Sequence, residues 1–205
     1  MGQEDRTEGF RIGCVHGKLV PDEKSVEAHL RNGLFLIGML EAQLTRSKFE
    51  KIRLVAYEIP LMGKQARGEC IDLLGYDSNK VPWIIELKKS DSNEKLPKVA
   101  DQVLRYKKRF EKVREGVEKE IRDKYFWPEF GFSEGTKTMI LAPRSFYKDQ
   151  PPKTCEKIKA ERIYCCSLAG IREEDLTVKK WVKNHGSHGM VRLKVENKED
   201  FLGKG

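Results

Sequence analysis

Apolar residues recur along this chain at two different periods, and each change of period marks an element. Val26, Leu30, Leu34, Ile37 and Leu40 follow one another at steps of three and four, the spacing of a helix with one buried stripe. Pro21-Asp22-Glu23-Lys24-Ser25 supplies a start signal, with Asp22 or Ser25 able to accept from free N–H groups. A helix is therefore predicted from there to about Gln43. Three strands follow: Ile52–Ile59 (IRLVAYEI), Glu69–Tyr76 (ECIDLLGY) and Val81–Lys89 (VPWIIELKK). A basic loop, Leu61–Gly68, separates the first two. Asp77-Ser78-Asn79-Lys80 is a turn between the last two, so an antiparallel meander is expected.

The helical period then returns. Val99, Val103, Tyr106, Phe110 and Val113 share one face of a long helix predicted over about Lys98–Lys124, which Trp127-Pro128 ends. Beyond it come a strand at Thr136–Ala142, a short helix at Cys155–Lys159 and a strand at Arg162–Ser167. A small helix around Leu176–Lys183 and a strand at Met190–Val195 complete the series. Residues 1–20 are irregular apart from a short strand at Arg11–His16. The order α-β-β-β-α-β, with later strands, predicts an α/β (α+β) fold in which helices flank one mixed central β-sheet. The expected organisation is an irregular segment over 1–20, a core domain over 21–169 and a C-terminal extension over 170–205 packing on that core. The segment after 143 is expected to finish the sheet or to build a homodimer interface.

With 205 residues, 39% of them hydrophobic, the chain can bury one real core. The longest apolar run, Leu34–Leu40, is far short of the roughly 20 residues a bilayer crossing needs. No basic head followed by an apolar stretch opens the chain, so no secretory signal is expected. Five cysteines at irregular spacings, with no C-x-x-C pair, argue against a zinc ribbon. They point to a reducing, cytoplasmic setting. The 40 Lys+Arg against 32 Asp+Glu leave a net charge of +8, which favours a polyanionic partner such as DNA. Between Lys95 and Lys124 alone, eleven basic residues face six acidic ones.

Charged residues inside apolar strands are costly unless paired, solvated or bound to a cation. Asp72 interrupts Cys70-Ile71-Asp72-Leu73-Leu74, and Glu86 and Lys88 interrupt Ile84-Ile85-Glu86-Leu87-Lys88. Strand side chains alternate with period two, so Glu86 and Lys88 face the same way. Pairing through the 77–80 turn can bring Asp72 close to Glu86. Two converging carboxylates, completed by the Leu87 carbonyl, suit a hard divalent cation, Mg²⁺ or Mn²⁺. Such a cation lowers the pKa of a bound water and neutralises phosphate charge. The Lys88 ammonium can orient that water or stabilise the charged transition state.

The spacing D-x(13)-E-x-K across two hairpin strands resembles the PD-(D/E)XK nuclease superfamily. Glu27, in Ser25-Val26-Glu27-Ala28-His29-Leu30, matches the glutamate that family carries on the preceding helix. Gln102 and Tyr106, in Asp101-Gln102-Val103-Leu104-Arg105-Tyr106, match the Q-x-x-x-Y helix of RecB-type exonucleases, and i,i+4 spacing puts them on one helix face. The phrases GECIDLLGY, WIIELKK and DQVLRY also look like the nuclease domain of NucS-type endonucleases. Residues 22–142 carry the resemblance. Ile71 stands where many members have a proline, while every charged position is present.

The resemblance implies a restriction-endonuclease-like core and a metal-dependent deoxyribonuclease, with a place in DNA repair. Asp72 and Glu86 would bind metal, and Lys88 would act on water or the transition state. Glu27 and Gln102 would support the site, with Tyr106 beside them. Arg67, Lys89 and Arg105 are candidate phosphate contacts. The alternative is a catalytically silent module of the same fold that binds nucleic acid or a protein partner. Other groups read more simply. His185 and His188 lie in a Gly-rich turn, Glu41 sits far from the capped helix start, and the parity of Glu58 on its strand is open.

Overall fold

Extended backbone forms where β-branched and apolar residues run together between turn residues. Among the residues that the computed structural model describes (31, 34–35, 38–44, 48–61, 69–89, 92–147, 152–168 and 191–195) this gives seven strands. They are β1 Met39–Gln43, β2 Phe49–Pro60, β3 Cys70–Tyr76, β4 Pro82–Leu87, β5 Lys137–Leu141, β6 Ile163–Leu168 and β7 Val191–Val195. Two α-helices, α1 Leu96–Tyr125 and α2 Pro152–Ala160, join them. The class is mixed α+β.

Local connections dictate the first half of the sheet. β1 to β4 pair antiparallel in chain order. The β3–β4 turn is built on Asp77, whose Oδ1 accepts from Asn79 N at 3.0 Å and Val81 N at 3.1 Å. Helical crossovers then permit parallel neighbours: α1 carries the chain from β4 to β5, and α2 from β5 to β6. β7 runs antiparallel to β6 and parallel to β1, and so closes the sheet into a barrel. The expected mixed sheet is present, but it closes on itself rather than standing open between helices. Closure removes both sheet edges.

One element differs from expectation. The predicted helix to Gln43 stops early. Arg31, Leu34 and Phe35 are helical, Gly38 takes φ 75°, and Met39–Gln43 is a strand. Gly38 N donates to Leu34 O at 3.1 Å, which closes the last turn, and glycine adopts this left-handed conformation without a Cβ penalty. Leu40 fits both periods, so spacing alone could not place the boundary. Residues 22–30, the strand at 11–16 and the helix at 176–183 lie outside the described residues.

Three buried clusters pack against the sheet, the first of them with residues from all seven strands. Leu40, Ile52, Leu54, Leu73, Trp83, Ile85, Leu87 and Leu141 pack together in one. Tyr106, Phe110, Val113, Val117 and Ile121 of α1 cover Ile59, Ile71, Leu74 and Ile84 in the second. Leu96, Val99 and Val103 meet Ile140, Ile158 and Cys165 in the third. β4 is buried along its whole length, as a strand covered on both faces must be. An ion pair between Lys157 and Asp101 ties α2 to α1. Cys165 and Cys166 are buried in different clusters, as alternation along a strand requires. No helix among the described residues is long and apolar enough to cross a membrane.

Gly75 is required by close approach. It faces the irregularity in β2 between Leu54 and Ala56, and an added Cβ would stand 2.7 Å from Ile52 Cγ2 and 2.8 Å from Arg53 O. Backbone must move to admit it. Gly75→Ala is expected to cost about 1–3 kcal/mol of stability, measured as a lower urea midpoint with an unchanged slope.

Candidate functional site

The site begins where β3 and β4 part. Their ladder pairs Leu74 with Ile84 and Leu73 with Ile85, so the next step sets Asp72 opposite Glu86. There a side chain replaces the backbone partner: Leu87 N donates to Asp72 Oδ2 at 2.8 Å. The N–H and C=O of a strand residue leave by the same edge, so the Leu87 carbonyl also lies on the Asp72 side. On the other edge, Lys88 N donates to Leu141 O of β5 at 3.0 Å.

Glu86 and Lys88 point the same way, as period two requires, and Lys88 Nζ donates to Glu86 Oε1 at 2.8 Å. Both are buried, with only 3% and 7% of their surfaces exposed. Glu86 Oε2 is buried, and no donor among the described residues reaches it. Its neighbour Asp72 is an acceptor too. Burial, then the charge of Asp72 beside it and a hydrogen bond shared with that acid, push the Glu86 carboxyl well above the usual carboxylate range against the pull of Lys88. Two acids at one spot, one with an unsatisfied oxygen, call for a shared proton or a cation.

Lys88 is held from a second side. Its Nζ lies 2.7 Å from Glu94 Oε2, and Lys98 Nζ lies 2.8 Å from Glu94 Oε1. Burial works against the charge on Lys88, but Glu86 and Glu94 outweigh it and hold the ammonium above its ordinary value. Hydrogen bonds from Lys88 and Lys98 pull the Glu94 carboxyl down to about 2.

From α1, Gln102 Nε2 donates to the Tyr106 hydroxyl at 2.7 Å. Burial pushes the pKa of that hydroxyl up to about 12 against the opposing hydrogen bond from Gln102, and the charges of Glu86, Asp72 and Glu69 add to the rise. Asp72, Glu86 and Lys88 thus come together, while Tyr106 of α1 packs in one cluster with Ile84 of β4. Arg105 sits on the rim: its Nε is 3.5 Å from Glu69 Oε1, while Arg109 Nη1 is 2.8 Å from Glu69 Oε2. Lys89 is half-buried just past β4. Glu27, Arg67, His185 and His188 lie outside the described residues. Glu41 pairs with Arg192 at 3.3 Å. Glu58 stands opposite Asp72 in the β2–β3 register, at φ 50°, with its carboxylate 2.7 Å from Arg31 Nη2.

Among the described residues no three His, Cys, Asp or Glu side chains form a metal cluster. The oxygen donors present are two carboxylates and one carbonyl edge, and the unsatisfied Glu86 Oε2 fits a hard cation that keeps several waters. Sequence reasoning missed Glu94 and Glu69. No motif spacing marks either, because both enter through loops that precede elements. Comparison with protein-family models, with curated proteins and with solved structures finds no match to this chain.

Proposed function

We propose that this protein is a divalent-metal-dependent nuclease that hydrolyses DNA phosphodiester bonds, with a restriction-endonuclease-like core of the PD-(D/E)XK kind. The carrying observation is the convergence of Asp72, Glu86 and Lys88 around a buried carboxylate oxygen that lacks a donor. The run β2-β3-β4-α1-β5, a meander followed by a helix and a parallel strand, supports the same reading.

Asp72, Glu86 Oε2 and the Leu87 carbonyl would hold Mg²⁺ or Mn²⁺. When bound, that ion supplies an acidified water and neutralises charge on the phosphate. Hydrolysis joins a water oxygen to phosphorus and breaks one P–O ester bond. Lys88, charged throughout the neutral range, stabilises the negative charge that builds on the phosphate oxygens. Gln102 holds the Tyr106 hydroxyl on α1. Basic residues of α1, Arg105 among them, meet the DNA backbone.

The test is cleavage of linear, nicked, branched and single-stranded DNA with Mg²⁺ or Mn²⁺. Wild type is expected to cut at least one substrate, and Lys88→Ala is expected to lose activity by about 10²–10³-fold. Equal cutting by both proteins overturns the assignment. Salt-dependent DNA retention without cutting or metal binding would make the chain a silent binding module instead.

A further inference from the structure

Lys88 is gripped between two carboxylates, and only Glu86 belongs to the motif. Glu94 comes from the loop that leads into α1. Its Oε2 is 2.7 Å from Lys88 Nζ, its Oε1 is 2.8 Å from Lys98 Nζ, and its backbone N donates to Ser92 Oγ at 3.3 Å. The contacts form one row, Lys98–Glu94–Lys88–Glu86 Oε1, which ends at the unsatisfied Glu86 Oε2.

A lysine ammonium is a point charge on a flexible stem. One carboxylate sets its distance but leaves its direction free, whereas two carboxylates on different sides set both. We propose that Glu94 is a positioning residue that holds the Lys88 ammonium on Glu86 Oε1, so that Oε2 stays open to a cation. This rests on the metal-site reading of Asp72 and Glu86.

Without the Glu94 charge, Glu86 is the one ion-pair partner of the ammonium among the described residues, and the ammonium can swing across both oxygens, where it competes with the cation. Glu94 thus acts through Lys88, and its effect vanishes when Lys88 is neutral.

The experiment is calorimetric titration of the whole protein with MnCl₂, together with DNA-cleavage kinetics. Glu94→Gln keeps the size and one acceptor of the side chain while removing its charge. It is expected to weaken Mn²⁺ binding about 10-fold and to lower kcat about 10–100-fold, with KM for DNA within about 2-fold. Lys88→Met and Lys88→Met/Glu94→Gln are expected to bind Mn²⁺ equally. Thermal melting checks that all variants are folded. Wild-type Mn²⁺ affinity in Glu94→Gln, or the same loss on the Lys88→Met background, overturns the positioning role while leaving the nuclease reading intact. The expected affinity pattern in a protein that cuts no DNA supports the positioning role and overturns the nuclease. A wild type that neither binds Mn²⁺ nor cuts overturns both.

Discussion

Asp72→Asn is expected to lower metal-dependent cleavage by about 10²–10³-fold and to leave the fold almost as stable as before. Asp72→Ala is expected to lose activity equally and to unfold more easily. The difference follows from the two tasks of this carboxylate. Its Oδ2 accepts from Leu87 N at 2.8 Å, a bond that an asparagine oxygen can keep. Its charge faces Glu86, and asparagine removes it. Alanine also leaves the buried Leu87 N–H without an acceptor, at a cost of about 1–3 kcal/mol. Cleavage rates beside urea midpoints separate the two tasks. If Asp72→Asn cuts DNA at the wild-type rate, Asp72 serves only to end the β3–β4 ladder, and the proposed chemistry is wrong.

Asp77→Ala is expected to be the most destabilising of these changes, by about 3–5 kcal/mol, with no direct effect on the acids of the site. Asp77 is buried at the opposite end of the β3–β4 hairpin. Besides the two turn N–H groups, its Oδ2 accepts from Trp83 Nε1 at 3.1 Å and Lys137 Nζ at 2.6 Å. Alanine strands the indole N–H of a fully buried tryptophan and takes the nearest carboxylate from Lys137. For a chain of this size each kcal/mol moves Tm by about 2–4 °C, so a fall of about 10 °C is expected.

The pH dependence of Asp77 carries a definite sign. Burial raises its carboxyl pKa, but hydrogen bonds from Lys137, Trp83 and Val81 outweigh it, so the folded value lies below the ordinary 3.8. An acid depressed on folding adds stability above its unfolded pKa and loses it as pH falls through the folded one. Wild type should therefore exceed Asp77→Asn in urea midpoint at pH 7, and the gap should shrink below about pH 4. A gap unchanged at low pH would mean that shape, not charge, is what Asp77 contributes.

Much of the candidate site is legible in the amino-acid order. Period two put Glu86 and Lys88 on one side of β4, and the Asp77 turn set the hairpin that brings Asp72 across from them. The 3.6-residue period put Gln102 and Tyr106 on one face of α1, where a 2.7 Å hydrogen bond joins them. These are local facts: alternation and turn chemistry act over a few residues, so the amino-acid order alone determines them. The helix end at Gly38 was less legible, because Leu34 to Leu40 satisfies the helical period while Leu40 and Ala42 also alternate as a strand.

Only the tertiary structure decided the closure of the sheet, the grip of Glu94 on Lys88 and the isolation of Glu86 Oε2. β7 meets β1 across some 150 intervening positions, and no turn or period links segments so far apart. That pairing arises from joint burial of the barrel's inner face and the satisfaction of two strand edges at once. Glu94 reaches Lys88 because α1 docks against β4, with Tyr106 and Ile84 in one cluster, and the same packing buries Glu86 Oε2.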